Sequence, residues 1–192
     1  MEFTEPAVLD EYFAILNGQR PARHWLASRV EAGVSSLEGL TEQELRELHE
    51  EAMGRFRDAW HSGEEPPPPQ GPSLLELKAL MALRMLRSCH MCERRCGVDR
   101  TRGERGYCGV GDVSRVASIF LHFGEEPELV PSHTIFFAGC TFRCVYCQNW
   151  DIAMDASGGS PADPVLLAAS LRQGIPQGSR NANFVGGNPD PN

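Results

Sequence analysis

No stretch of the chain comes near the roughly 18 consecutive apolar residues that a membrane-spanning helix requires. Basic side chains are in the minority: 18 Lys and Arg stand against 26 Asp and Glu, giving a formal net charge of −8. That balance is against non-specific nucleic-acid binding, which needs a basic face. The start, Met1-Glu2-Phe3-Thr4-Glu5, lacks the basic residues and apolar run of a secretory signal. A cytoplasmic, reducing location is therefore expected, without membrane partners. No internal repeat is visible. What the chain does have is length and apolar content for a core: 192 residues, 41 % hydrophobic, which fits one or two domains.

Cysteine is the informative residue. There are seven, an odd number, all between 89 and 147. A disulfide framework suits neither the odd count nor a reducing compartment, so metal or redox chemistry is expected. The cysteines divide into Cys89, Cys92, Cys96 and Cys108, then Cys140, Cys144 and Cys147. Four thiolates can close a metal site, whereas three leave one coordination position open. In zinc proteins that difference separates structural from catalytic sites.

The first 62 residues read as helical. Thr4 and Pro6 open a first helix with an apolar stripe through Leu9, Phe13 and Leu16, and Asn17-Gly18 stops it. A second helix carries Trp25, Leu26 and Val30. In the third, Thr41 and Glu44 form a capping box before Leu45, Leu48, Ala52 and Phe56 at helical spacing. Residues 1–64 hold 13 acidic and 6 basic side chains. They read as a small helical bundle with a solvated face, set against an acidic docking module. Residues 63–72, with four consecutive prolines, are expected to be an extended spacer. Ser73 and Glu76 form a second capping box, opening a helix that leads to Cys89 within a metal-binding segment over 73–115.

Beyond residue 116 the pattern is α/β. Val116–Phe123 reads as a strand, and Thr134–Ala138 as a short strand buried on both faces. A helix through Val165–Leu171 and a strand at Asn183–Val185 complete a βαβ unit, so a parallel sheet is expected.

The four-cysteine segment has the spacing of a ligand set, suited either to zinc or to a [4Fe-4S] cluster. Its glycines, Gly97, Gly103, Gly106 and Gly109, let the chain fold tightly. Seven arginines against four acids between 87 and 115 can offset thiolate charge or meet a partner. His90 is an alternative ligand, set against a plain exposed histidine. A zinc ribbon on nucleic acid is a rival reading, but Tyr107 is the lone aromatic for base stacking.

The second group runs Cys140-Thr141-Phe142-Arg143-Cys144-Val145-Tyr146-Cys147, a CxxxCxxC pattern directly after a buried strand. With an aromatic just before its last cysteine, this motif resembles the signature of the radical S-adenosylmethionine superfamily. The stretch from Thr134 to Asn149, the four-cysteine group and Glu125-Glu126-Pro127 resemble one branch, relatives of the pyruvate formate-lyase activating enzyme. The resemblance covers about residues 88 to 192; the helical N-terminal region has no counterpart in it.

The resemblance implies an α/β fold, the N-terminal part of a partial (β/α) barrel over 116–192. It implies that Cys140, Cys144 and Cys147 ligate a [4Fe-4S] cluster whose open iron chelates S-adenosyl-L-methionine. One electron then cleaves that cofactor to methionine and a 5′-deoxyadenosyl radical, which abstracts hydrogen from a substrate. Tyr146 would lie beside the adenine. Gly186 and Gly187 fall where the superfamily has Gly-Gly-Glu near the methionyl amine, and Asn188 stands in the acidic position. Cys89, Cys92, Cys96 and Cys108 would hold zinc or a second cluster. The implied partners are an electron donor such as flavodoxin or ferredoxin, and a substrate that is a protein or a small molecule.

Forty-five residues follow Cys147. A partial barrel needs several further β/α units of on the order of 30 residues each. The chain is expected to be a truncated core that does not by itself retain full catalysis. Two rival readings stay open: a non-catalytic iron–sulfur electron carrier, and a zinc-binding interaction module.

Overall fold

The structure is a computed structural model that describes residues 9–186. Thr4, Pro6, Gly187 and Asn188 lie outside the described residues. The chain divides into two compact units between Leu83 and Arg84.

Helices make up the first unit: α1 (Asp10–Leu16), α2 (Arg23–Arg29), α3 (Glu42–Ser62) and most of α4 (Leu74–Met85). The α3 start is local chemistry. The Thr41 hydroxyl accepts from the Glu44 N–H, and the Glu44 carboxylate accepts from the Thr41 N–H at 2.7 Å. Ser73 and Glu76 repeat the arrangement before α4. Helix α3 ends where Gly63 turns into the left-handed region at φ 74°. Between the helices lie two small apolar clusters. One gathers Ala27, Val30, Ala52 and Leu74, and the other Ala32, Leu45 and Leu77. Trp60 is stacked with Phe56 and takes the guanidinium of Arg20 over its ring at 3.8 Å.

The proline-rich segment is expected to be a spacer, but it is pinned within this unit. Pro66 and Pro67 line a cavity of about 560 Å³ with Arg29, Gly33 and Arg55. The Gln70 N–H donates to the Glu31 carboxylate at 2.7 Å, and the Ala32 N–H donates to the Pro72 carbonyl at 2.7 Å. Ser73 pairs with Glu31 in an isolated bridge. These bonds hold Leu74 and Leu77 where they are fully buried.

The second unit carries a four-stranded sheet in the order β3-β1-β2-β4: β1 (Arg115–His122), β2 (Ser132–Phe137), β3 (Ser160–Pro161) and β4 (Asn181–Gly186). Helices α5 (Trp150–Met154) and α6 (Pro164–Gly174) complete it. The βαβ expectation holds for β2 and β4, which pair in parallel from Ser132↔Asn181 to Phe137↔Gly186. An all-parallel sheet does not: β1 runs antiparallel to both β2 and β3. Only residues 123–131 join β1 to β2. A parallel crossover takes a dozen or more residues, so this connection suits an antiparallel return. The fold is therefore mixed α/β with an open sheet, and the described residues form no barrel. Its core packs Val116, Ile135 and Phe137 against Leu167 and Leu171 of α6.

No helix among the described residues is long and apolar enough to cross a membrane.

Candidate metal centre

Strand β2 delivers the chain to the three-cysteine loop. Its residues are buried almost throughout, and it runs into Gly139. That glycine has φ 88°, and its N–H donates to the Ile152 carbonyl at 2.9 Å. A Cβ there would lie 2.5 Å from Val110 Cγ2 and 3.0 Å from both the Cys108 carbonyl oxygen and Ala156 Cβ. The loop is thus launched from a point where several segments meet and no side chain fits.

All seven cysteines are free thiols. In the loop, Cys140 and Cys147 are half-buried and Cys144 is exposed. The Phe142 N–H donates to Cys140 Sγ at 3.3 Å. The Cys147 N–H donates to the Cys144 carbonyl at 3.2 Å. Around them the surface is apolar and open: Val145 is fully exposed, Tyr146 84 % and Trp150 66 %.

The four-cysteine segment is tighter. The Cys89 N–H donates to the Val98 carbonyl, and the Gly97 N–H returns a bond to the Cys89 carbonyl. Cys89 is buried, Cys92 and Cys108 are half-buried, and Cys96 is exposed. Gly106 leaves room for Cys96, since a Cβ there would lie 2.4 Å from its sulfur. Arg100 is almost fully buried. Its Nε donates to the Gly111 carbonyl at 2.6 Å, and its Nη1 lies 3.4 Å from Met91 Sδ and 3.9 Å from Cys89 Sγ. A buried guanidinium among sulfurs supplies the charge that thiolates need. Burial pushes the Cys108 thiol up, opposed by a backbone hydrogen bond from Val110 and by the Arg100 charge. His90 is exposed, with Nδ1 2.7 Å from the Ser88 carbonyl.

The two cysteine segments touch. Arg94, between Cys92 and Cys96, donates from Nε to the Thr141 carbonyl at 2.7 Å. Its guanidinium lies 3.4 Å from the centroid of the Tyr107 ring. Arg143, next to Cys144, lies 4.6 Å from the same ring and donates to the Tyr107 carbonyl at 3.3 Å. A cavity of about 630 Å³ opens between the segments, lined by Met91, Cys92, Glu93, Arg94, Thr141 and Phe142. Arg94 and Arg100 were legible in the sequence only as charge, and Arg143 only as a residue within the cysteine motif. The signal for their roles was position, since Arg94 and Arg143 each lie within two residues of a cysteine.

Gly186 closes β4 beside Phe137, three residues before Cys140. Its φ is 113°, and a Cβ would lie 3.0 Å from the backbone of Phe136 and Phe137. Sheet packing alone therefore requires glycine at 186.

Among the described residues, no three His, Cys, Asp or Glu side chains converge into a ready metal cage. The fit to a cluster lies in the chemistry of the donors. Cys140, Cys144 and Cys147 are three free thiols within eight residues, with an N–H aimed at the first. Cys89, Cys92, Cys96 and Cys108 supply four free thiols beside a buried arginine.

Two curated proteins are similar to this chain. Uncharacterized protein MJ0674 of Methanocaldococcus jannaschii is 38 % identical over 196 aligned residues, taking in 95 % of this chain and 54 % of that protein. Uncharacterized protein MJ0808 of the same organism is 32 % identical over 84 residues, 34 % of this chain and 24 % of that protein. The chain thus spans about half the length of the first and a smaller share of the second. No family model matches the sequence, and no solved structure does.

Proposed function

We propose that this chain is the cluster-bearing part of a radical S-adenosylmethionine enzyme, similar to the activases of glycyl-radical enzymes. The observation that carries the reading is the CxxxCxxC loop, Cys140 to Cys147, with three free thiols, set at the end of a buried strand. In this reading the three cysteines hold a [4Fe-4S] cluster and leave one iron for S-adenosyl-L-methionine. When bound, the group supplies the electron that cleaves the cofactor to methionine and a 5′-deoxyadenosyl radical.

This chain's own residues hold and orient. The Phe142 N–H holds the Cys140 sulfur in place within the loop. Gly139 and Gly186 let backbone pass where a side chain would collide. Tyr146, exposed on the open face, is available to cover an adenine. Gly187 and Asn188, next after Gly186 in the sequence, would serve the methionyl amine in this reading. In this reading the sheet is the N-terminal part of a partial barrel. The four-cysteine segment holds zinc or a second cluster. The exposed side of Cys144 is the face for an electron donor such as flavodoxin or ferredoxin, in a reducing cytoplasm. A protein glycine or a small molecule is the substrate.

The test is electron paramagnetic resonance of anaerobically reconstituted, dithionite-reduced protein with and without S-adenosylmethionine. A [4Fe-4S]⁺ signal that changes on adding the cofactor supports the enzyme reading. A signal indifferent to it favours an electron carrier, and zinc without iron favours an interaction module; either result sinks the enzyme reading for this chain.

A further inference from the structure

Four residues set close to cysteines of the two segments are joined by a chain of contacts. Arg94 lies between Cys92 and Cys96, and Tyr107 precedes Cys108. Thr141 follows Cys140, and Arg143 precedes Cys144. Arg94 donates to the Thr141 carbonyl, Arg143 donates to the Tyr107 carbonyl, and both guanidiniums lie over the Tyr107 ring at 3.4 and 4.6 Å. An arginine over an aromatic face gains a cation–π attraction, and one ring shared by two arginines ties their loops together. Gly139 adds a backbone contact, its α-carbon packed toward the Cys108 carbonyl.

From this juxtaposition we infer that Tyr107, with Arg94 and Arg143, is a positioning clamp through which metal in the four-cysteine segment raises the metal affinity of the three-cysteine loop. The inference rests on the reading of both segments as metal sites, and it concerns their order of loading, which that reading leaves open. Metal bound by Cys92, Cys96 and Cys108 fixes the short stretches that carry Arg94 and Tyr107. The clamp then restrains Thr141 and Arg143, so part of the ordering cost of the second loop is met before its own metal arrives. Coupling of this kind is reciprocal, and between sites it is typically about 5- to 150-fold in affinity.

The three-cysteine loop is not closed around a metal, so it has ordering still to gain. No three donors converge among the described residues, and Cys144 is exposed.

The experiment is an anaerobic cobalt(II) titration of the full 192-residue chain, reading the cobalt–thiolate absorption band of the three-cysteine loop. One equivalent of zinc, which is spectroscopically silent, first fills the four-cysteine segment. The comparison chain carries Cys89→Ser, Cys92→Ser, Cys96→Ser and Cys108→Ser. The expected loss of cobalt affinity in that chain is on the order of tenfold. Tyr107→Leu, with all seven cysteines retained, is expected to reproduce the loss, and Tyr107→Phe, which keeps the ring, to restore tight binding. A Tyr107→Leu chain that binds cobalt as tightly as the parent overturns the clamp, as does a Tyr107→Phe chain as weak as Tyr107→Leu. Cobalt binding needs no S-adenosylmethionine. Coupling in the titration with no cofactor response in the paramagnetic resonance experiment therefore supports the clamp while the enzyme reading fails. Absence of any cobalt–thiolate band from the loop overturns both.

Discussion

Gly139 packs its α-carbon toward the carbonyl of Cys108, so that a Cβ there would sit 3.0 Å from that oxygen and 2.5 Å from Val110 Cγ2. Val110 is almost fully buried and has little room to yield. The φ of 88° adds strain for any L side chain. Gly139→Ala is expected to destabilise the protein by about 1–3 kcal/mol, as overpacking does. It is also expected to lower the iron taken up on reconstitution, because this residue launches the cysteine loop. Urea midpoints and iron content per chain check both effects.

Gly174 ends α6 against His133 of β2. A Cβ at 174 would lie 2.3 Å from His133 Nδ1, and His133 is buried with Nε2 held 3.0 Å from the Ser170 hydroxyl. Helical propensity alone favours alanine over glycine at this position. The contact decides the other way: Gly174→Ala is expected to lower stability by about 1–3 kcal/mol. A raised thermal midpoint in the variant would show that His133 moves aside freely.

Leu45 is fully buried between Ala32 and Leu77. Leu45→Ala removes methylenes from the centre of a cluster that Leu48, Leu80 and Met81 also pack against. The expected cost is about 2–5 kcal/mol. It should fall on the helical unit, read by the fluorescence of Trp60 on α3 during urea unfolding.

Acid acts on the two capping boxes. Hydrogen bonds from the backbone and then the hydroxyl of Thr41 hold Glu44 below the usual carboxylate range, and Ser73 does the same for Glu76. A carboxyl whose pKa is lowered by folding stabilises the fold above its unfolded value, near 4.3, and loses that effect as pH falls through the depressed folded value. Urea midpoints between pH 6 and pH 3 should therefore fall less steeply in Glu44→Gln and Glu76→Gln than in the parent chain. Equal slopes would mean that the boxes contribute nothing to acid stability.

These capping boxes were fully legible in the sequence, because each closes over three residues and needs no distant partner. The buried strand before Cys140 was legible from its apolar run. So was the parallel pairing of β2 with β4, whose connection contains a helix. The antiparallel β1 was missed. The pattern of apolar residues gives a strand but not its direction, and the decisive fact was the short link over 123–131. The proline-rich segment shows a similar limit. Composition describes its stiffness, while its hydrogen bonds to Glu31 and Ala32 depend on chain about 40 residues away.

At the site, the sequence by itself determined the chemistry on offer: seven thiols, their division into four and three, and the spacing within each loop. These are properties of covalent neighbours, and folding cannot change them. Only the tertiary structure decided that Arg94 reaches Thr141, that Tyr107 receives two guanidiniums, and that Gly139 abuts Cys108. Such contacts join residues far apart in the chain, and their existence depends on the path the sheet and loops impose. No local propensity encodes it.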